Sequence, residues 1–152
     1  LWACKHLWLG GGRFLTSGGL GTMGYALPAA VGVKVADSSR QAVVICGDGS
    51  FQMSMNELAA VRTRNLDLKI LLLDNGVLGL VRQIQNTPPY HGSFGVSLEG
   101  SPDYAAIAAA YGIPSIRADR EAQVEDALDR FLNQPGSCLL IVRVDPDVTT
   151  ND

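Results

Sequence analysis

Residues 42–77 read AVVICGDGSFQMSMNELAAVRTRNLDLKILLLDNGV. Two apolar runs, Ala42–Cys46 and Leu68–Leu73, have the continuous hydrophobicity of strands buried on both faces of a parallel sheet. Each ends in an acid-and-glycine turn, Gly47-Asp48-Gly49 and Asp74-Asn75-Gly76. One helix-length segment, Phe51–Asn65, lies between them. The pattern is a βαβ unit. It predicts an α/β fold, a three-layer α/β/α sandwich around a mostly parallel, doubly wound sheet. In such sheets ligands bind beyond the carboxyl ends of the strands. Asp48 and Asn75 are 27 positions apart in sequence, and this topology lets them converge.

An acid and an amide so placed suit a metal-bridged diphosphate. Mg²⁺ takes hard oxygen ligands in octahedral geometry at about 2.0–2.1 Å and shares them between protein and phosphates. Asp48, Asn75 and a backbone carbonyl just beyond would supply half a shell. Two phosphate oxygens and a water would complete it. Gly49 lets backbone approach an anion closely. Ser50 is expected to open a helix whose free N–H groups face it.

The GDG turn, the 24 residues after it and the following Asp74-Asn75 resemble the signature of thiamine-diphosphate enzymes. That signature ends in two asparagines, and Asp74 replaces the first. The resemblance implies Mg²⁺ ligation by Asp48, Asn75 and the carbonyl of Val77.

Upstream, Ser17–Val35 (SGGLGTMGYALPAAVGVKV) is a glycine-rich loop opening a helix of small and apolar residues. Pro28 fits the first turn of that helix. Gly19, Gly21 and Gly24 fit a dinucleotide fingerprint, but a lone match is weak and no acid falls at the right place on a following strand end, Asp37 lying in a polar loop too early. The stretch instead closely resembles SGGLGTMGYGLPAAIGA of the acetolactate synthase (acetohydroxyacid synthase) family. In that family the methionine matching Met23 packs under the thiamine-diphosphate and holds it bent, with Gly21 beside the aminopyrimidine. Downstream, Gly76–Asn86 (GVLGLVRQIQN) resembles NNGYLGMVRQWQ of the same family. Leu80 stands for a methionine near the thiazolium, a volume-conserving exchange. Ile84 stands where acetolactate synthases commonly carry tryptophan at the mouth of the substrate channel. Arg82 matches, and either substrate or a neighbouring subunit fits it. The cofactor-binding residues implied are Gly21, Met23, Gly47, Asp48, Gly49, Ser50, Asn75, Val77, Gly79 and Leu80.

The remaining chain reads as framework. Leu1–Leu9 is expected to end a helix, and Arg13–Thr16 to form a short strand. In the helix Phe51–Asn65, Phe51, Met55, Leu58, Ala59 and Val61 should be buried, with Arg62 and Arg64 solvated. Thr87–Ser101 is a long Pro/Gly/Ser-rich loop, the type often used as a lid. Its His91, like His6, reads as an exposed histidine. Pro102–Tyr111 is an alanine-rich helix, capped by Ser101 and stopped by Gly112. Ile113–Arg117 is a strand, Arg120–Phe131 an amphipathic helix, and Ser137–Val144 the last buried strand.

Composition narrows the function classes. The 152 residues suit one domain, expected to be a piece of a longer, multidomain chain. A hydrophobic fraction of 47% supports a sizeable core. The net charge of −3, without a basic run, gives no support to a nucleic-acid partner. No apolar run reaches transmembrane length. Cys4, Cys46 and Cys138 lack metal-ligand spacing and read as reduced thiols of a cytoplasmic protein.

The resemblance implies the Mg²⁺- and thiamine-diphosphate-binding domain, the last of three, of an acetolactate synthase large subunit. The family decarboxylates pyruvate and joins the two-carbon unit to a second 2-oxo acid in branched-chain amino-acid biosynthesis. It implies a homodimer or higher homo-oligomer, a possible regulatory subunit, and FAD in a domain outside this chain. The activating glutamate comes from the first domain of a partner subunit, so no catalytic residue is assigned here and the piece should be inactive alone. The Gly/Ala-rich face of Thr22–Val35 suits either a subunit interface or core packing. Alternatives are the same domain of a glyoxylate carboligase, a 2-oxo-acid decarboxylase or a pyruvate oxidase, or a nucleotide-binding module.

Overall fold

The computed structural model describes residues 2–150, so Leu1 of the expected first helix lies outside the described residues. The described residues form one four-stranded, wholly parallel sheet. The strands are β1 (Val43–Gly47), β2 (Lys69–Asp74), β3 (Ser115–Ala118) and β4 (Cys138–Arg143), in spatial order β1-β2-β4-β3. The helices are α1 (Trp2–His6), α2 (Ala26–Ala36), α3 (Asp48–Gln52), α4 (Leu58–Thr63), α5 (Gly79–Gln85), α6 (Tyr104–Ala110) and α7 (Val124–Asn133).

Alternation along the strands builds two cores, one on each face. Val44, Cys46, Ile70, Leu72, Leu139 and Ile141 meet Leu27 of α2, Phe51 of α3, Leu58 and Val61 of α4, and Ala108 of α6. Ile116, Ala118, Cys138 and Leu140 meet Ala127 and Phe131 of α7 on the opposite face. The three predicted layers are therefore present. Side chains project alternately from a strand, so β2 and β4 need apolar residues at nearly every position. That requirement is what made their sequences legible.

Lys69 interrupts the apolar run of β2 and is nevertheless buried. Its ammonium donates to the carbonyls of Gln134 and Gly136 and to Asp67, tying the start of β2 to the α7–β4 connection. Lys34 does the same at the end of α2, donating to the carbonyls of Ser38 and Arg40. Both buried charges are satisfied by oxygen atoms, as burial demands.

Four local expectations differ from the structure. Arg13–Thr16 forms no strand, and Phe14 and Leu15 are exposed. The helix expected over Phe51–Asn65 is broken: α3 starts at Asp48, Met55–Glu57 is a single 3₁₀ turn, and α4 follows. The glycine loop packs closely against the end of α3. Gly24 N–H donates to Ser50 Oγ (2.9 Å), and a Cβ on Gly24 would lie only 3.1 Å from Met53 Cβ. Ala59, expected in the core, faces solvent as a result of the re-aimed helix. The cap of α6 is Asp103, not Ser101: its carboxylate accepts from the N–H groups of Ala105 and Ala106. Gly112 ends that segment at φ +69°, as expected. No helix among the described residues is long and apolar enough to cross a membrane.

Candidate functional site

β1 and β2 are neighbours in register, Gly47 opposite Leu73, so their carboxyl ends open side by side. Asp48 follows β1 directly and is 2% exposed. Its Oδ2 accepts the Gly76 N–H at 2.8 Å, and its Oδ1 accepts the Gly49 N–H at 3.0 Å. One carboxylate thus fastens the first strand end to the second. Burial pushes the Asp48 carboxyl above the usual carboxylate range, and Asp74 alongside pushes it further. The two backbone N–H groups pull in the opposite direction. Cys46, on the same strand, has its thiol pushed up to about 12 by burial and the nearby Asp48 charge.

Asn75 turns its Oδ1 to the Val77 N–H at 3.1 Å. Its amide nitrogen would lie 3.0 Å from a Cβ on Gly79, so the start of α5 leaves room for this side chain. The turn is pinned to the long loop by an antiparallel bridge between Val77 and Ser97. The bridge bonds run from Leu78 N–H to Val96 O (2.8 Å) and from Leu98 N–H to Gly76 O (2.9 Å), leaving the Val77 carbonyl outside it.

Gly49 forms the floor of a cradle. A Cβ there would sit 2.8 Å from Leu78 Cδ2, 3.1 Å from Met23 Cε and 3.3 Å from Leu98 Cδ1. Met23, on the glycine loop, and two leucines from the other side therefore converge over this one backbone position. Gly21 lies on the same loop with φ +61°, and Ser50 holds the loop through Gly24. Leu80 is half exposed on α5. Gly47 ends β1 in extended backbone.

The structure thus gathers Met23, Asp48, Gly49, Ser50, Asn75, Val77 and Gly79 around two adjacent strand ends. Gly21 and Leu80 lie on the flanking loop and helix. The expectation that Ser50 opens the helix is corrected: the helix opens at Asp48, and the Ser50 hydroxyl is an acceptor for the loop.

Several contacts behind the site were not anticipated from the sequence. Gln52 Nε2 donates to Ser101 Oγ (2.9 Å) and to the Tyr104 hydroxyl (2.8 Å), and Ser101 Oγ donates to Leu98 O (2.6 Å). This network ties α3, the long loop and α6 behind the cradle. Phe51 meets Tyr104 edge-on at 5.8 Å. No periodicity signals such contacts between residues about fifty positions apart. His91 and His6 are exposed and take no part.

Among the described residues no three His, Cys, Asp or Glu side chains group to hold a metal. The donor set at the strand ends is instead one carboxylate, one amide oxygen and backbone carbonyls. These are hard oxygens too few to cage an ion, as Mg²⁺ sites that share ligands with phosphates require. Beside them, the absence of a side chain on Gly49 lets the ends of Leu78, Met23 and Leu98 pack directly over backbone. The residues present fit the group that the sequence implied.

Comparison with known proteins bears on the same region. Residues 1–142 match the family model described as thiamine pyrophosphate enzyme, C-terminal TPP binding domain. The acetolactate synthase isozyme 2 large subunit of Escherichia coli (strain K12) is 45% identical over 146 residues, which are 95% of this chain and 27% of that protein. The acetolactate synthase of Arthrospira platensis is 41% identical over 148 residues, 97% of this chain and 26% of that protein. The mitochondrial acetolactate synthase catalytic subunit of Saccharomyces cerevisiae is 37% identical over 149 residues, covering 97% of this chain and 22% of that protein. The chain spans about a quarter of the length of these relatives.

Proposed function

The chain belongs to the family of C-terminal TPP-binding domains of thiamine pyrophosphate enzymes, and from that membership we propose that it is the Mg²⁺- and thiamine-diphosphate-binding part of an acetolactate synthase large subunit. The observation that carries the reading is the meeting of Asp48 and Asn75 at adjacent strand ends beside an apolar cradle floored by Gly49.

In this reading Asp48, Asn75 and the Val77 carbonyl hold Mg²⁺, which holds the diphosphate. Gly47, Gly49 and Ser50 bring backbone and a hydroxyl to the same end. Met23 supplies the apolar wedge that keeps the cofactor folded, and Gly21, Gly79 and Leu80 leave room around it. Bound there, thiamine diphosphate supplies the carbanion stabilisation needed to decarboxylate pyruvate and to join the two-carbon unit to a second 2-oxo acid. The chain's own part is to bind, orient and shield. Leu78 and Leu98 exclude water from the Gly49 floor, while the Gln52–Ser101–Tyr104 network keeps the wall behind it in place.

The identities of 35–45% to acetolactate synthases support this enzyme over other thiamine enzymes. The relatives' names as large or catalytic subunits support a regulatory subunit as a further component, and the family resemblance extends the reading to a cytoplasmic homodimer or higher homo-oligomer with FAD in another domain. Exposed Leu20, Met53, Ile84 and Phe94 around the site suit a surface that another domain or subunit completes.

The test is calorimetric titration of thiamine diphosphate with Mg²⁺ and then with EDTA, on the chain and on the full-length protein containing it. Binding that needs Mg²⁺, and that Asp48→Ala or Asn75→Ala abolishes without unfolding the protein, is the expected result. Unchanged binding by both variants would remove the ligand assignment.

A further inference from the structure

Three charged side chains are buried among the described residues: Lys34, Asp48 and Lys69. A buried charge is costly unless it meets an opposite one. Lys69 has such a partner in Asp67, at 3.0 Å. Lys34 and Asp48 form no ion pair among the described residues. Asp48, at the carboxyl end of the sheet, receives a cation in the proposed reading. Lys34 is its counterpart at the amino end. Its ammonium donates to the carbonyls of Ser38 (2.6 Å) and Arg40 (2.7 Å). These bonds fix the nitrogen without neutralising it, and an ammonium has a third N–H to give.

Lys34 lines a cavity of about 270 Å³ at the amino ends of β1 and β2. That is several times the roughly 30 Å³ that one water occupies. Three cations, Lys34, Arg40 and Lys69, line it against one acid, Asp67. The whole chain carries a net charge of −3, so this positive wall runs against the average. Lys69 spends its three donors on Asp67 and two carbonyls and adds charge alone. Arg40 holds Asp37 through Nε, and its Nη groups take no part in that pair. Ser38, Gln41 and Gln134 add a hydroxyl and two amides to the lining. We propose that this cavity binds a small oxyanion of the phosphate type, with Lys34 and Arg40 as its charged donors. The donors come from α2, from the α2–β1 connection and from the α7–β4 connection. Such convergence suits a tetrahedral anion, which presents oxygens in several directions, and hydrogen bonds from cations to it are the strong kind. The anion neutralises Lys34. The site shares no residue with the cofactor end and does not depend on that reading.

The test is calorimetric titration of the full-length protein with inorganic phosphate, in EDTA and at constant ionic strength. Wild type should bind phosphate saturably. Arg40→Gln should weaken the affinity about tenfold, the scale of one charge-assisted hydrogen bond. Lys34→Gln should abolish binding. Arg117→Gln removes the same charge near the carboxyl end of β3 and should leave the affinity unchanged. A parallel titration with glycerol 3-phosphate separates two sources of the same chemistry. Tighter binding than inorganic phosphate assigns the site to a phosphate carried on a larger molecule, and weaker binding assigns it to the free anion. Should Lys34→Gln fail to fold, Arg40→Gln and Ser38→Ala decide the matter, each being expected to weaken phosphate binding while the protein stays folded. Wild-type protein that binds neither compound overturns the proposal. So does phosphate affinity that the Lys34, Arg40 and Ser38 variants leave intact, or that Arg117→Gln lowers as much as Arg40→Gln does.

Discussion

Asp48 bonds two strand ends together, and in the proposed reading the same carboxylate would offer oxygen to a cation. Because burial and Asp74 raise its carboxyl, protons compete for it at higher pH than for an ordinary aspartate. Mg²⁺-dependent cofactor binding should therefore weaken as pH falls, beginning above the usual carboxylate range. Titrations from about pH 7 down to about pH 4, where a solvated aspartate takes its proton, check where the loss begins. In the metal-free protein the sign is opposite, since a raised carboxyl makes the ionised state costly and stability declines as pH rises through the same window. Gly49 supplies a second residue-scale test. The atoms a Cβ would meet are all side-chain ends, so Gly49→Ala should fold with a loss of about 1–3 kcal/mol from overpacking. It should displace Met23 and weaken thiamine-diphosphate binding more than it lowers stability, which calorimetry and urea denaturation together would show. Asp48 and Asn75 were legible because strand-end position is written in the hydrophobic runs before them. Gln52, Ser101 and Tyr104 were not, since their roles come from contacts across the fold.

Elements were legible where their burial pattern was uniform. β2 and β4 are nearly all apolar, and α7 places Ala127 and Phe131 on one side, so each announces itself. The break between α3 and α4 was invisible because apolar spacing continues through it. The glycine loop meets the end of the first helix there, through the Gly24 N–H on Ser50 and the close approach of Gly24 to Met53. Lys69 shows the same limit in reverse, a charged residue in a buried strand that becomes sensible once its three oxygen partners are in place. Phe131 is the anchor by which α7 closes the second face of the sheet, 1% exposed. Phe131→Ala should cost about 3–5 kcal/mol, read from the urea midpoint. Because the site sits at the strand ends and takes no residue from α7, Mg²⁺-dependent binding by the folded fraction should persist.

At the scale of the molecule, the three-layer architecture was readable from the βαβ pattern, whereas the interleaved order of the last two strands was not. Burial also sorts the three thiols. Cys4 is exposed, while Cys46 and Cys138 are buried with thiols pushed upward, Cys46 to about 12. Only the thiolate is reactive. Alkylation of the folded protein at pH about 8, near the ordinary thiol value, should therefore label Cys4 alone, with the other two labelled after denaturation. Mass spectrometry distinguishes the cases. The strand order has one more consequence, concerning birth rather than function. β4 follows β3 in sequence yet lies between β2 and β3. A chain emerging from the ribosome makes β2 and β3 with a vacant lane between them. The Val144 N–H that fastens the Asp74 carbonyl arrives only afterwards. The sheet behind the strand ends is thus closed by a strand synthesised after both of its neighbours, and a polypeptide stopped before Cys138 would hold every proposed ligand without the lane that keeps them in register.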